Sequence, residues 1–163
     1  MIIKERRKLE AVLERVRTAK KRIVFTNGCF DILHKGHVSY LSEAKKLGDV
    51  LVIGLNTDES VRRLKGPTRP VLPFESRAAV LDSLRMVDFV VPFGEATPIE
   101  LLKLVRPDVH VKGGDYHAEE LPEYETVRSC GGRVAIIPLL PGFSVTSILE
   151  RIMVLNSKGG TKS

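Results

Sequence analysis

Two histidines three positions apart carry the strongest chemical signal in this chain, in the run Thr26-Asn-Gly-Cys-Phe-Asp-Ile-Leu-His-Lys-Gly-His37. A buried-strand pattern over 22–27 stops at Gly28, a loop follows, and a helical pattern begins near His37. A helix amino terminus offers unpaired N–H groups and the positive end of its dipole, so it attracts phosphate. Imidazole donates hydrogen bonds to phosphoryl oxygens while staying near neutral at cellular pH. His34 and His37 could therefore face one anion together, with Gly36 letting backbone approach it. The loop residues Asn27, Gly28, Cys29 and Phe30 would line such a site, and Asp31 would orient the loop or the substrate or simply serve the turn. Zinc fits poorly, because neither a third His nor a Cys stands at ligand spacing.

Further candidates lie downstream. Residues 62–73 are basic and Pro-rich, too irregular for helix or strand, and follow a strand's carboxyl end. That is where open α/β sheets bind ligands, so the stretch is either a surface connection or a phosphate clamp. Lys112-Gly113-Gly114-Asp115 ends another strand pattern, with glycines that allow backbone contact to a base or ribose. His110 lies inside that strand and reads as core.

These residues need a scaffold, and the periodicity supplies one. Leu9, Val12, Leu13 and Val16 mark an amphipathic helix over 5–18. Strand patterns fall at 22–27, 50–55, 88–92, 109–112 and 133–138. Helices are expected near 37–47, 75–85, 98–105, 119–130 and 145–155. Val38, Leu41, Ala44 and Leu47 form the inner face of the first of these, with Gly48 placed as a helix-ending glycine. Alternating strands and helices predict right-handed parallel βαβ units. The expected fold is a Rossmann-like, three-layer α/β/α domain around about five parallel strands.

Composition removes several function classes. Residues 1–22 hold nine Lys or Arg against three Glu, whereas residues 23–155 hold 15 basic and 17 acidic side chains. The net +6 charge is thus concentrated at one end and not spread over the domain, which argues against a nucleic-acid-binding face. No apolar run approaches the roughly 20 residues of a membrane span. Cys29 and Cys130 form neither a metal spacing nor a disulfide framework. A cytoplasmic protein without a membrane partner is expected.

The His-Lys-Gly-His stretch, in its Asn-Gly-Cys-Phe-Asp-Ile-Leu setting, resembles the His-x-Gly-His signature of the cytidylyltransferase-like nucleotidyltransferase superfamily. The likeness continues through Gly54-Leu-Asn-Thr-Asp58, Arg62-Arg63-Leu64-Lys65-Gly66, Arg69-Pro70-Val71, Arg77, Val111-Lys112-Gly113-Gly114-Asp115-Tyr116 and Gly142-Phe-Ser-Val-Thr-Ser147. It covers about residues 22–155. The resemblance implies a nucleotidyltransferase domain over 23–155, while charge and periodicity mark a basic amphipathic helix over 1–22 and a Gly-Gly stretch without large apolar side chains marks a flexible tail over 156–163. Within the superfamily the chain looks most like members that transfer AMP from ATP to heptose 1-phosphate, giving ADP-heptose for the lipopolysaccharide core. Two departures matter. Leu140-Pro141-Gly142 stands where the glycerol-phosphate cytidylyltransferases carry an arginine, and Val145 replaces one hydroxyl of the family's paired threonines.

The resemblance implies roles. His34 and His37 would meet the α- and β-phosphates, and Lys65, with Arg62 or Arg63, would cover pyrophosphate from a mobile loop. Arg77 is a second phosphate candidate, with a surface ion pair as its other reading. Asp58, Lys112, Gly113 and Asp115 would contact the nucleotide, and Gly114 and Tyr116 the acceptor. Ser144, Thr146 and Ser147 share the helix cap and a phosphate contact in an order the sequence leaves open. Mg²⁺ would bridge triphosphate oxygens without a dedicated protein cage. A homodimer is expected. The alternatives are a cytidylyltransferase for a polyol phosphate, an FAD-synthetase-like adenylyltransferase and a nucleotide-binding sensor without turnover.

Overall fold

A computed structural model describes residues 1–115 and 117–159. The chain runs α1 (Arg6–Thr18), β1 (Ile23–Gly28), α2 (Lys35–Lys45), β2 (Val50–Asn56), α3 (Asp58–Lys65), α4 (Phe74–Asp82), β3 (Phe89–Phe93), α5 (Ile99–Val105), β4 (Val109–Gly113), a 3₁₀ turn (Ala118–Glu120), α6 (Tyr124–Ser129), β5 (Arg133–Ile137) and α7 (Val145–Gly159). All strand pairings are parallel, in the order β3-β2-β1-β4-β5.

Strand residues alternate between two apolar layers. Val24, Leu51, Ile53, Val90 and Val111 face α2 and α4, against Leu41, Ala44, Ala78 and Leu81. Phe25, Val50, Val52 and Val91 face the other way, against Leu9 and Leu13 of α1, Leu101, Leu102 and Val105 of α5, and Val127 of α6. Helices on both faces of a parallel sheet make the expected three-layer fold. The basic helix α1 thus docks on its own core: Leu9 and Leu13 are fully buried. Ile3 extends that docking with a hydrogen bond from its N–H to Val90 O at 2.9 Å.

Several boundaries differ from the sequence reading. The stretch read as a basic loop begins inside α3, and its helical signals are local. Thr57 caps the helix by accepting from Ser60 N at 3.3 Å, Asp58 and Glu59 fill the first turn, and Arg62, Arg63 and Lys65 fill the last. That charge order suits the helix dipole, and Gly66 follows with φ 97°. The helix expected over 119–130 is split, because Pro122 stands between the 3₁₀ turn and α6 and removes an N–H. Leu41, Ala44 and Leu47 face the core as expected, whereas Val38 is exposed and Tyr40 is buried instead. Gly48 has no left-handed backbone. A Cβ there would lie 2.7 Å from Val24 Cγ2 and 2.9 Å from the Arg22 carbonyl, so close packing demands the glycine. Helix α7 continues to Gly159, into the stretch expected as tail. Among the described residues no helix is long and apolar enough to cross a membrane.

The sheet order places function. The chain leaves β1 towards β2 on one side and reaches β4 on the other, so a crevice opens at the carboxyl ends of β1 and β4.

Candidate active site

That crevice is a cleft of about 790 Å³, walled by the β1–α2 loop, the ends of α3 and β4, and the amino end of α7. His34 is the N-cap of α2 and makes no side-chain cap bond, and no acidic residue occupies the first turn. The helix therefore starts two residues earlier than the sequence suggested, with His34 at the cap and His37 in the first turn. The dipole and the free N–H groups of that turn remain available to an anion.

The two imidazoles stack, centroids 3.9 Å apart, between Phe30 (5.4 Å from His37) and Phe143 (6.4 Å from His34). Gly36 makes this possible by absence: a Cβ would lie 3.0 Å from His34 Cε1 and Nδ1 and 3.1 Å from Phe143 Cβ. Burial pushes the His37 imidazole down to about 4, with help from neighbouring His34, and burial lowers His34 as well. Among the described residues, Nδ1 of each ring is buried without a partner. Both rings are thus neutral near pH 7, close to each other, and short of hydrogen bonds.

Other side chains hold this pair in place. Tyr40 of α2 shares a hydrogen bond with Thr26 Oγ1 of β1 at 2.7 Å and donates to Val111 O of β4 at 2.9 Å. Asp31 is buried and accepts from Arg69 Nε (2.7 Å), Val71 N (2.8 Å) and Leu72 N (3.0 Å). Burial would raise its pKa, but the Leu72 and Val71 N–H groups and the Arg69 guanidinium hold it below the usual range. Asp31 thereby fastens the loop after α3 over the cleft.

The predicted residues divide cleanly. Asn27, Gly28, Cys29, Phe30, Asp31, His34, Gly36, His37, Lys65, Lys112, Gly113, Ser144 and Thr146 all line the cleft. Asn27 Oδ1 is buried there without a partner among the described residues. Ser144 settles the cap of α7, since its Oγ accepts from Ser147 N at 3.0 Å and Ser147 Oγ donates to Ser144 O at 2.9 Å. Ser147 is spent on that exchange and lies off the cleft wall. Thr146 makes no side-chain hydrogen bond among the described residues.

Arg77, read as a phosphate candidate, is instead sealed inside. Its side chain is fully buried and donates to Asp58 Oδ1 (2.6 Å), Cys29 O (2.6 Å) and Leu72 O (3.0 Å). It ties the end of β1 to α3 and to the loop before α4, and it occupies Asp58 in doing so. Arg62 and Arg63 sit in the last turn of α3, off the cleft wall and not on a mobile loop. Arg63 pairs with Glu59 at 2.6 Å and donates to the Gly94 carbonyl. Gly114 and Asp115 stand just beyond the cleft wall, at the carboxyl end of β4. Tyr116 lies outside the described residues.

Some lining residues escaped the sequence reading. Arg69 and Phe143 stood in quoted motifs without a role, and both reach the cleft. Glu123 is 3% exposed, and its Oε1 pairs with Lys112 at 2.9 Å while Oε2 has no partner among the described residues. Nothing in an acid-rich stretch marks Glu123 in advance. Tyr40 carried a weak signal, a tyrosine on an inward helix face whose hydroxyl must find a partner.

The cleft therefore gathers two helix amino termini, two neutral imidazoles and the cations Lys65, Arg69 and Lys112. Comparison with known proteins agrees with this geometry. The Cytidylyltransferase-like family matches residues 25–151, and the chain belongs to it. It is 53% identical to the Bifunctional protein HldE of Syntrophotalea carbinolica over 151 residues, which are 93% of this chain and 31% of that protein. HldE of Alcanivorax borkumensis is 52% identical over 86% of this chain and 29% of its own length. The chain thus spans about a third of the curated relatives that it matches. The lipopolysaccharide core biosynthesis protein of Thermoplasma volcanium GSS1 is 33% identical with a TM-score of 0.61, over 74% of this chain and 97% of that one. Pantoate-beta-alanine ligase from Francisella tularensis shares the fold alone, at 13% identity and a TM-score of 0.59 over 96% of this chain and 78% of its own.

Proposed function

We propose that this member of the family is an adenylyltransferase that moves AMP from ATP to D-glycero-β-D-manno-heptose 1-phosphate, forming ADP-heptose and pyrophosphate for the lipopolysaccharide core. The observation that carries the transfer chemistry is the stacked His34–His37 pair at the amino end of α2, opposite the amino end of α7. The names of the relatives support the sugar acceptor.

In this reading an oxygen of the sugar phosphate attacks the α-phosphorus of ATP in line. The bond from that phosphorus to the bridging oxygen breaks, and pyrophosphate leaves with the electron pair. The attacking group is already an anion, so no general base is required. His34 and His37 donate from Nε2 to oxygens on which charge grows, the kind of preorganised stabilisation that dominates such reactions. The α2 N–H groups add to it. Lys65 and Arg69 draw off the charge of the leaving pyrophosphate, and Thr146 offers its hydroxyl from α7. Lys112, held by Glu123, and the backbone at Gly113 border the base and ribose.

Among the described residues no three His, Cys, Asp or Glu side chains gather as metal ligands. In this reading Mg²⁺ would arrive on the triphosphate, and no step is assigned to it. A homodimer belongs to this reading, supported by α7, which exposes Ile152, Met153, Val154 and Leu155.

Base choice is tested by melting the protein with ATP, CTP or neither, since a ligand of the native state raises the midpoint. A rise with ATP and none with CTP is the expected result. The reverse would replace this reading with a cytidylyltransferase.

A further inference from the structure

We propose a second anion site at the opposite end of the sheet, which takes a small polyphosphorylated molecule. A cleft of about 470 Å³ opens there beside Ile23, the first residue of β1, and Asp108, just before β4. Five steps along β1 at about 3.3 Å each put it roughly 17 Å from the reaction cleft. Its wall carries five cations: Arg17, Lys20, Lys21 and Arg22 from the end of α1 and its linker, and Arg106 from the end of α5.

Cations at helix carboxyl ends have an ordinary explanation, the negative end of the helix dipole. Arg17 serves that purpose, donating to Val105 O at 2.7 Å. The other four make no side-chain hydrogen bond or ion pair among the described residues. Two carboxylates are engaged by backbone N–H groups: Asp108, which lines the cleft, accepts from Ile23 N and Asp49 from Arg22 N, each at 2.7 Å.

The backbone adds an independent observation. Lys20 and Arg106 hold left-handed conformations, φ 53° and 42°. Glycine adopts this conformation freely and commonly ends helices, whereas a side chain there is strained. Both conformations close helix C-caps, with Lys21 N donating to Val16 O at 3.1 Å and Arg106 N to Leu102 O at 2.7 Å, and the side chains so placed line one cleft. A concavity of this size, with four free cations converging, fits a compact molecule bearing several phosphates. A nucleic-acid duplex would need a broader surface.

Inorganic tripolyphosphate is the probe, titrated calorimetrically at low salt into the wild type, His37→Ala, Lys20→Gly/Arg106→Gly and Lys21→Ala/Arg22→Ala. The wild type should show two binding events, one of which His37→Ala weakens. Each double variant should weaken the other event by about tenfold or more. Lys20→Gly/Arg106→Gly should also melt no lower than the wild type without ligand, because glycine removes the strain. Salt should strongly suppress the event that the double variants weaken, as expected for exposed charges. A single event that His37→Ala alone diminishes would overturn the proposal. So would unchanged titrations of both double variants, and Lys21→Ala/Arg22→Ala decides the matter if the glycine variant fails to fold.

Discussion

The rings of His34 and His37 stack with centroids 3.9 Å apart, and neither buried Nδ1 has a partner among the described residues. Two imidazoles this close cannot both be charged until an anion lies against them. A bound triphosphate would supply it and raise both pKa values. ATP binding near pH 6.5 should therefore take up protons, read as a dependence of the binding enthalpy on the buffer's ionisation enthalpy. The same heat in every buffer would mean that the pair stays neutral with ligand.

His37→Ala removes a donor that the reaction needs and the fold does not. Turnover should fall by on the order of 10²–10³, with the melting point nearly unchanged. A loss of turnover below about tenfold would assign the charge stabilisation to Lys65 and the helix ends instead.

Acid should destabilise the protein between two identifiable limits. Burial holds His37 and His110 at about 4, against 6.5 for an ordinary histidine. The unfolded chain therefore binds protons that the native state refuses, and stability falls as pH drops from about 6.5 towards 4. His110 stacks on Phe25 at 5.5 Å with both ring nitrogens unpaired. His110→Phe should remove roughly half of this pH dependence, measured by denaturant titration at pH 7 and pH 4.5.

Arg77 offers the opposite separation from His37. Its removal leaves Asp58 and the carbonyls of Cys29 and Leu72 without their donor, so Arg77→Ala should cost about 3 kcal/mol or more of stability. Gly48→Ala should also destabilise, by about 1–3 kcal/mol, because its Cβ meets Val24 and the Arg22 carbonyl. Equal melting points for the wild type and Arg77→Ala would return Arg77 to the ligand-binding candidates.

Much of this was legible because it rests on local chemistry. Strand hydrophobicity and the His-Lys-Gly-His run are enough to locate the sheet and the reaction cleft. Helix α3 was legible too, through Thr57, its acidic first turn and Gly66. Its apolar stripe, Val61 and Leu64 alone, is too short for periodicity to mark. What the sequence withheld is of another kind. Arg77 and Lys65 are both basic residues after the same strand, and only packing sends one into the core and leaves the other on the cleft. Glu123 becomes part of the cleft because the turn around Pro122 brings it to Lys112, a contact between β4 and the connection that follows it which no spacing announces.

The central claim is the reaction itself, and pyrophosphate release measures it most directly. The protein is supplied with Mg²⁺ and D-glycero-β-D-manno-heptose 1-phosphate, with ATP or CTP in parallel. Release with ATP alone, lost in folded His37→Ala, is the result expected here. Release with CTP alone, or none with ATP despite its binding, would contradict the account.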